Sequence, residues 1–600
     1  MRIFFPKFSG KLSGIFRLKV PRYRAYPPYL RNGCKKITPK TLRYEKYFLR
    51  KLTSPAGPAS PPALRNAPFK IPVSIELATQ KLSWASTPNW LEEFDDREDA
   101  FALHRWGWLL MLGTDNPSEE IKKWGIEVMC DWFSKMKKKT IHCSWESYSV
   151  SERIVNCILF LYCLRDYPFK ESGKLDGIEK GLIESALFLK DRLEFKGSST
   201  NNHVLNNARS LYILGRLASS HSLADIGRRI LTEETPRMIT PSGFLREGSS
   251  NYHFLLLRTY LEILWAAEYT KDTPFADAVR PIVHSMLRAA WFFYVYNRAN
   301  GSSSYPFFGD VSPDFPPEWL SKICTSLPAL RLYNPREAMA DLSTGWNALW
   351  KNDSREEVYE AQKSHNSESS LQLFRDSGWY RVTRGNLTVF WHVPMDSSEA
   401  LYSHGHNDIC SFVVYWKGRQ VILDAGLFSY KKGPLGLYAR GALAHNSFMV
   451  DGLEPYPVFR NIHPPEYNGA KARVDWEEEK DGFVFKISHT GFQRIDRRFS
   501  ASREFHVENN KMSIKDTVEG SGRHKVTTLF HFADSAEIYD IFSSTQKNAL
   551  KKIFSGEVKP RPLGWYFPKY GRMNPVKTLV IEAESDFPYS AEYSMHFGGR

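Results

Sequence analysis

The feature that most limits what this chain can fold into is a change of hydrophobic period near residue 370. From Trp84 to about Trp350 apolar residues recur at three- and four-residue spacing, the signature of helices with one face indoors. The spacing predicts helices over Arg97 to Leu112, Ser118 to Lys138, Ser149 to Leu164, Gly177 to Phe195, Asn202 to Ser219, Ala224 to Glu234, Ser250 to Tyr269 and Pro274 to Tyr296. Their connections are short and no fixed repeat length emerges. Helical hairpins wound into an incomplete (α/α) toroid are expected, with a plain helical solenoid as the alternative. After about Ser370 the period falls to two. Strands are expected at Gly378 to Thr383, Asn386 to Val393, Ser411 to Trp416, Gln420 to Asp424, Ser447 to Val450, Gly482 to Ser488, Arg503 to Val507, Lys511 to Thr517, His524 to Phe532 and Leu579 to Ala583. Many short strands with polar turns make an antiparallel β-sandwich. Six hundred residues exceed one core. The expected α+β multidomain chain has a basic arm and Pro-rich linker over 1–75, a helical toroid over 76–365 and an antiparallel sandwich over 366–600.

The net charge of +15 resides in the arm: residues 1–52 hold 15 Lys or Arg against one acid, Glu45, which leaves the body near neutral. Such an arm suits a membrane surface, nucleic acid or an acidic partner, or simply lies against the folded body. A near-neutral body makes nucleic acid an unexpected partner for the protein as a whole. Ser54-Pro-Ala-Gly-Pro-Ala-Ser-Pro-Pro62 separates arm from body. Charges at Lys7, Lys11, Arg17 and Lys19 interrupt any apolar leader, and Ile154 to Leu164 is too short to span a bilayer. A cytoplasmic or membrane-peripheral location is expected on these grounds. Seven cysteines cannot all pair, and no Cys-x-x-Cys occurs, so no disulfide framework is expected.

Chemistry concentrates at Tyr402-Ser-His-Gly-His-Asn-Asp408. His404 and His406 are two apart, so in extended chain both leave one face. A hairpin turning at Lys417-Gly418-Arg419 brings Asp424 back beside them, and His445 follows. His406, Asp424 and His445 make an N, O, N set suited to Zn²⁺; the alternative is a solvated polar loop.

Four segments stand out in the helical half: Trp145-Glu-Ser-Tyr-Ser-Val-Ser-Glu-Arg-Ile-Val-Asn156, Asn201-Asn-His-Val-Leu-Asn-Asn-Ala-Arg209, Arg246-Glu-Gly-Ser-Ser-Asn-Tyr-His253 and Phe308-Gly-Asp310. Singly, each reads equally as a cap or an interhelical hydrogen bond. Taken in order with His-Gly-His-Asn-Asp, Leu-Asp-Ala-Gly and Tyr-x-Arg-x4-His-Asn, they resemble the heparinase II/III family of polysaccharide lyases, which includes oligoalginate lyases. The resemblance runs from about residue 84 onward. It implies the same toroid and sandwich, and β-elimination at a uronic acid. Periplasmic or extracellular substrates are usual in that family, so localisation stays open.

The resemblance also assigns roles. Asn202 and His203 match the pair that neutralises the sugar carboxylate, as an oxyanion hole would. Tyr252 matches the general acid, or acid and base both, and His404 a base or carboxylate partner. His406, Asp424 and His445 match the ligands of a chiefly structural zinc. Trp145, Glu146, Arg153, Glu247 and Arg440 are expected near the cleft, with a buried ion pair as the other reading of Glu247 and Arg440. Tyr430 and Tyr438 compete for a second catalytic tyrosine, Tyr438 having the better-matching context. The expected partner is an anionic, uronate-containing polysaccharide, and the near-neutral body favours simple uronate polymers over heavily sulfated ones. Two other readings stand beside the lyase. One is a glycoside hydrolase, which needs opposed carboxylates such as Asp310 with Glu247 or Glu146. The other is a non-catalytic polysaccharide-binding or biosynthesis-associated protein.

Overall fold

The computed structural model describes residues 26–53, 73–84, 86–114, 118–137, 142–164, 172–297, 302–320, 369–393, 403–455, 472–533, 543–544 and 549–597. Its helices before the sheets are α1 (Pro28–Lys36), α2 (Phe48–Leu52), α3 (Arg97–Arg105), α4 (Gly107–Thr114), α5 (Glu119–Lys135), α6 (Ser147–Cys163), α7 (Ser172–Leu189), α8 (Asn202–Leu217), α9 (His221–Met238), α10 (Ser250–Tyr269) and α11 (Thr273–Phe293).

Three of these helices are enclosed on every side. Tyr148 to Leu161 of α6, Val204 to Gly215 of α8 and Ser250 to Ala267 of α10 are buried without a break. A helix buried all round must have neighbours all round. Accordingly α6, α8 and α10 pack side by side, backed by α7, α9 and α11 respectively. This is the wound helical-hairpin toroid that the periodicity led to. The charges buried among the inner helices neutralise one another. Glu152 of α6 meets Arg209 of α8 and Arg258 of α10 at 2.8 Å each, and Arg209 meets Glu262 of α10 at 2.8 Å.

One expected helix is broken. Trp106 has φ of +62° and separates α3 from α4, so Arg97 to Leu112 is two helices at an angle rather than one. Its indole is fully buried against Trp132 and Phe133. Packing of a large ring outweighs the modest cost of a left-handed residue there.

Two antiparallel sheets follow. The larger runs in the order Leu550–Ser555, Lys577–Asp586, Arg523–Phe532, Arg419–Ile422, Phe412–Trp416, Leu387–His392, Trp379–Arg384, Ser369–Phe374, with Phe448–Val450 also on Arg523–Phe532. The smaller runs Ala472–Glu479, Gly482–His489, Ser500–Val507, Lys511–Glu519, Tyr589–His596, Ser543–Ser544. The larger sheet is buried on both faces. Phe412, Val414, Val389 and Trp391 face the smaller sheet, while Val413, Tyr415 and Phe390 join the core of the toroid. That is why Leu387–His392 is a continuous buried run. The domains are also pinned by Arg381, whose guanidinium donates to the carbonyls of Phe292 and Tyr294, and by Asp376, which accepts from Ser242.

Every expected strand is present. In the two larger sheets, four of the five strands not expected lie at an edge: Ser369–Phe374, Ala472–Glu479, Leu550–Ser555 and Ser543–Ser544. An edge strand is held by one neighbour and buries little, so its sequence carries little alternation. Tyr589–His596 is internal and alternates buried with exposed, a pattern legible in Tyr-Ser-Ala-Glu-Tyr-Ser-Met-His.

Of the basic segment, residues 26–53 are packed on the toroid. Tyr26, Leu30, Cys34 and Leu49 are buried, α1 lies on α9 and α2 on α7. Residues 1–25, the linker over 54–62 and the expected domain boundary at 365 lie outside the described residues. Among the described residues no helix is long and apolar enough to cross a membrane.

Candidate active site

The inner helices bring their N-termini together. Glu146 caps α6 by accepting from the Tyr148 and Ser149 amides, Asn201 caps α8, and Ser249 caps α10 by accepting from the Tyr252 amide at 3.1 Å. Unpaired amide groups and the helix dipoles make this end of the toroid favourable to negative charge.

Three loops close over it. The Asp310 amide donates to the His404 carbonyl at 2.8 Å, the His404 amide to the Glu247 carbonyl at 3.2 Å, and the Ser250 amide to the Phe308 carbonyl at 3.2 Å. Such close backbone approach needs glycine. At Gly309, with φ of +70°, a Cβ would lie 2.4 Å from the His404 oxygen and 2.6 Å from that of Gly248.

Asp310 is the hub of the result. Its Oδ2 lies 2.9 Å from Nδ1 of His404 and its Oδ1 2.9 Å from Nε2 of His406, with the Arg440 Nε at 3.5 Å. The two histidines do leave one face, and a single carboxylate receives both. Burial opposes its charge, but Arg440 and the two histidine hydrogen bonds outweigh burial and hold the carboxyl well below its ordinary range. Sequence reasoning weighed Asp310 only as a hydrolase carboxylate; its signal was the Gly-Asp pair.

His404 stacks on Tyr252 with ring centroids 3.6 Å apart and an interplanar angle of 17°. Its Nε2 is 3.3 Å from Glu247 and 3.4 Å from the Asn202 amide nitrogen. Asn202 donates to Glu247 through both its backbone and side-chain N–H, each at 2.9 Å. The Asn202 Oδ1 is buried without a hydrogen-bond partner among the described residues. Tyr252 and Tyr430 share a hydrogen bond of 2.6 Å between their hydroxyls, and the Arg440 guanidinium lies 5.2 Å from the Tyr430 ring centroid. Burial first, then the Asp310 charge, pushes both phenols well above their usual range.

His203 goes elsewhere. It follows Asn202 on the first turn of α8, yet its Nδ1 lies 2.9 Å from Glu194 and its ring packs tilted against Tyr148, centroids 4.6 Å apart. The expected Asn202–His203 pair is thus split between two carboxylates.

Of the expected cleft residues, Trp145, Arg153 and Tyr438 belong to the core, and the expectation for them is corrected. Trp145 donates to the Met136 carbonyl and packs on Phe188. Arg153 is fully buried over Trp132, donating to the His104 and Ser144 carbonyls. Tyr438 bonds to the backbone of Trp565. Helical burial on all sides of α6 left no route from Arg153 to solvent. Glu247 makes no ion pair with Arg440, which faces Asp310 instead. Asp310 and Glu247 are at most 1% exposed and already engaged. They cannot flank a glycosidic bond as a hydrolase pair must.

His406, Asp424 and His445 lie together, with candidate ligand atoms all within 4.8 Å of one another and all three residues buried. His445 Nδ1 is 2.7 Å from Asp424 Oδ2, while Asp424 Oδ1 and His445 Nε2 are buried without a hydrogen-bond partner among the described residues. Two buried donor-set atoms without a hydrogen-bond partner, in a cluster this close, fit a bound cation.

Comparison with known proteins agrees with the fold. The model of a family described as heparinase II/III-like, C-terminal, matches residues 366–593. The chain is 21% identical over 499 residues to a heparin-sulfate lyase of Bacteroides thetaiotaomicron, a match that takes in 78% of this chain and 66% of that protein. Among solved structures, a heparinase III superposes with a TM-score of 0.63 at 16% identity, covering 85% of this chain and 80% of that one. A mutant heparan sulfate lyase from Pedobacter heparinus gives 0.54 at 15% identity, covering 92% and 88%.

Proposed function

We infer that this chain, which belongs through residues 366–593 to the heparinase II/III-like family, is a polysaccharide lyase that cleaves an anionic, uronate-containing polymer by β-elimination. The observation that carries the reading is the hydroxyl pair of Tyr252 and Tyr430 beside the His404 stack, at the N-terminal ends of the inner helices.

Elimination breaks the C5–H and C4–O4 bonds, forms C4=C5 and delivers a proton to O4, with no net proton change. The sugar carboxylate must first lose its charge, so that C5–H becomes acidic. Among the described residues His203 and Arg440, whose side chains are 30% and 33% exposed, are cations open to a substrate here, and the helix N-termini add to them. Raised phenol pKa values keep Tyr252 protonated in the free site, which suits the acid that protonates O4. Removal of the C5 proton needs the pair to have lost one proton. Burial and Asp310 oppose that loss, and the Arg440 charge beside Tyr430 favours it. Activity should therefore rise as pH climbs from neutral and fall again once His203 loses the charge that meets the sugar carboxylate. Both nitrogens of His404 face carboxylates or an amide, so His404 acts on Tyr252 rather than on the sugar. Asn202 fixes His404 and Glu247 in place.

The chemistry of the His406, Asp424 and His445 donor set suits Zn²⁺. When bound, zinc would supply fixed positive charge that ties the sandwich loops together. The His406 bond to Asp310 is the outer-sphere carboxylate contact that orients such a ligand. The near-neutral body favours a simple uronate polymer over a heavily sulfated one.

The test is ultraviolet absorbance of the unsaturated product over alginate, heparan sulfate, hyaluronan, chondroitin and glucuronan. A rise with one of them is expected. It should vanish in Tyr252→Phe, which loses one hydroxyl and keeps its fold by circular dichroism. Reducing ends without the double bond, or a Tyr252→Phe variant of near wild-type rate, would sink the reading.

A further inference from the structure

The proposed chemistry needs a cation for the sugar carboxylate, and His203 is one only while it is protonated. We infer that Glu194 is a positioning residue that holds His203 as an imidazolium with its Nε2 edge turned outward; this rests on the lyase reading above.

Glu194 lies in the connection between α7 and α8, a stretch with no recognisable motif. Its Oε1 is 2.9 Å from Nδ1 of His203, and its Oε2 accepts from the Asn207 side-chain amide at 3.1 Å. Asn207 is fully buried and returns the bond: its Oδ1 accepts from the Glu194 backbone amide at 3.0 Å, while its nitrogen reaches Ser151 of α6 at 3.1 Å. The carboxylate is therefore clamped from the backbone and side-chain ends by one residue. Asn207 stands four after His203, on the same face of α8, so the Asn-Asn-His-Val-Leu-Asn-Asn run presents the imidazole and the clamp of its counter-ion together.

The charges facing His203 are Glu194, Glu146 at the cap of α6, and Lys196 on its own connection, with the Tyr148 ring against its face. Burial works against protonation, but Glu194 and then Glu146 outweigh it and raise the imidazole above its ordinary value; Lys196 works the other way. The sign follows: a raised value means the cation persists to higher pH and is lost as pH climbs through it. With one nitrogen spent on Glu194, the other N–H is directed at a ligand, and an anion is what an imidazolium edge accepts best.

The experiment follows the His203 imidazole by long-range ¹H–¹⁵N spectra across pH, in the wild-type chain and in Glu194→Gln, with His203→Gln used to assign the signal. A wild-type midpoint above the ordinary histidine value is expected, falling by about one unit or more in Glu194→Gln. Near neutral pH the same variant should lower kcat/KM for the uronate polymer about tenfold, and the loss should shrink at acid pH, where His203 is protonated without Glu194. Glu194→Asp, which keeps the charge, should recover most of the loss. A wild-type midpoint at or below the ordinary value overturns the inference without any variant. So does an unmoved midpoint in Glu194→Gln, or an activity loss that is as large at acid pH as at neutral pH. The titration reads the pairing directly and needs no substrate. A shifted titration in a chain that forms no unsaturated product from any uronate polymer would sink the lyase reading and spare the pairing.

Discussion

At the scale of the residue, the site separates two tyrosines that compete in the sequence. Tyr438 has the more suggestive context, but its hydroxyl is spent on the Trp565 backbone and its ring is buried. Tyr430 has a plain context, yet its hydroxyl lies 2.6 Å from that of Tyr252. Its backbone amide is fixed by the Tyr570 hydroxyl at 2.8 Å. Tyr430→Phe should lower kcat/KM by roughly a hundredfold or more, the loss of one acid–base partner. Tyr438→Phe should leave kcat/KM within about threefold and cost about 1 kcal/mol in urea unfolding, the loss of one buried hydrogen bond. Equal activity losses in the two would refute this division. Spacing along the chain could not make it, because the distance that matters crosses 178 residues.

At the scale of the element, the inner helices show how charge is made tolerable in a core. Glu152, Arg209, Arg258 and Glu262 are each at most 1% exposed. Burial alone would raise the Glu152 carboxyl, but Arg209 and Arg258 reverse this and take it from 4.5 down to about 2. Such a depressed group lends stability that is present above about 4.5 and lost as pH falls toward 2. Glu152→Gln leaves two guanidiniums short of a partner and should cost about 3–5 kcal/mol at pH 7 by urea unfolding. Its stability should also decline less steeply than wild type between pH 4.5 and 2. An identical decline in both proteins would mean the acid sensitivity arises elsewhere. The amphipathic spacing placed these helices well, since eight expected segments map onto α3 to α11 with only α3 and α4 divided. It could not foresee the division at Trp106, which answers to partners brought from other helices.

At the scale of the molecule, the candidate site lies where toroid and sandwich meet. Glu247 and Asp310 precede the sheets in the chain, while His404, His406, Tyr430 and Arg440 come from the sandwich. Asp310 joins the two domains through His404 and His406, and His406 leads on to Asp424 and His445. A cation held there would thus steady the junction as well as the sandwich loops. Metal analysis of the purified chain should find about one zinc, and His406→Ala should lower both that content and the melting temperature. Ligand binding to the native state alone stabilises by roughly 3–4 kcal/mol at saturating metal. Full zinc content in His406→Ala would remove the residue from the ligand set.

The sequence by itself determined the helices of the toroid, all but one of the inner strands of the large sheets, their division into two kinds of domain and most of the residues that gather at the site. Each of those is written in local periodicity or in short motifs, because side-chain direction repeats every 3.6 residues in a helix and every two in a strand. Only the tertiary structure decided which tyrosine meets Tyr252, that Arg153 is a core strut, that Asp310 serves two histidines and that Glu194 holds His203. These are contacts between segments far apart in the chain, fixed by how the larger sheet buries its second face on the toroid. Local pattern selects the element, whereas the choice of partner depends on the packing of all of them together.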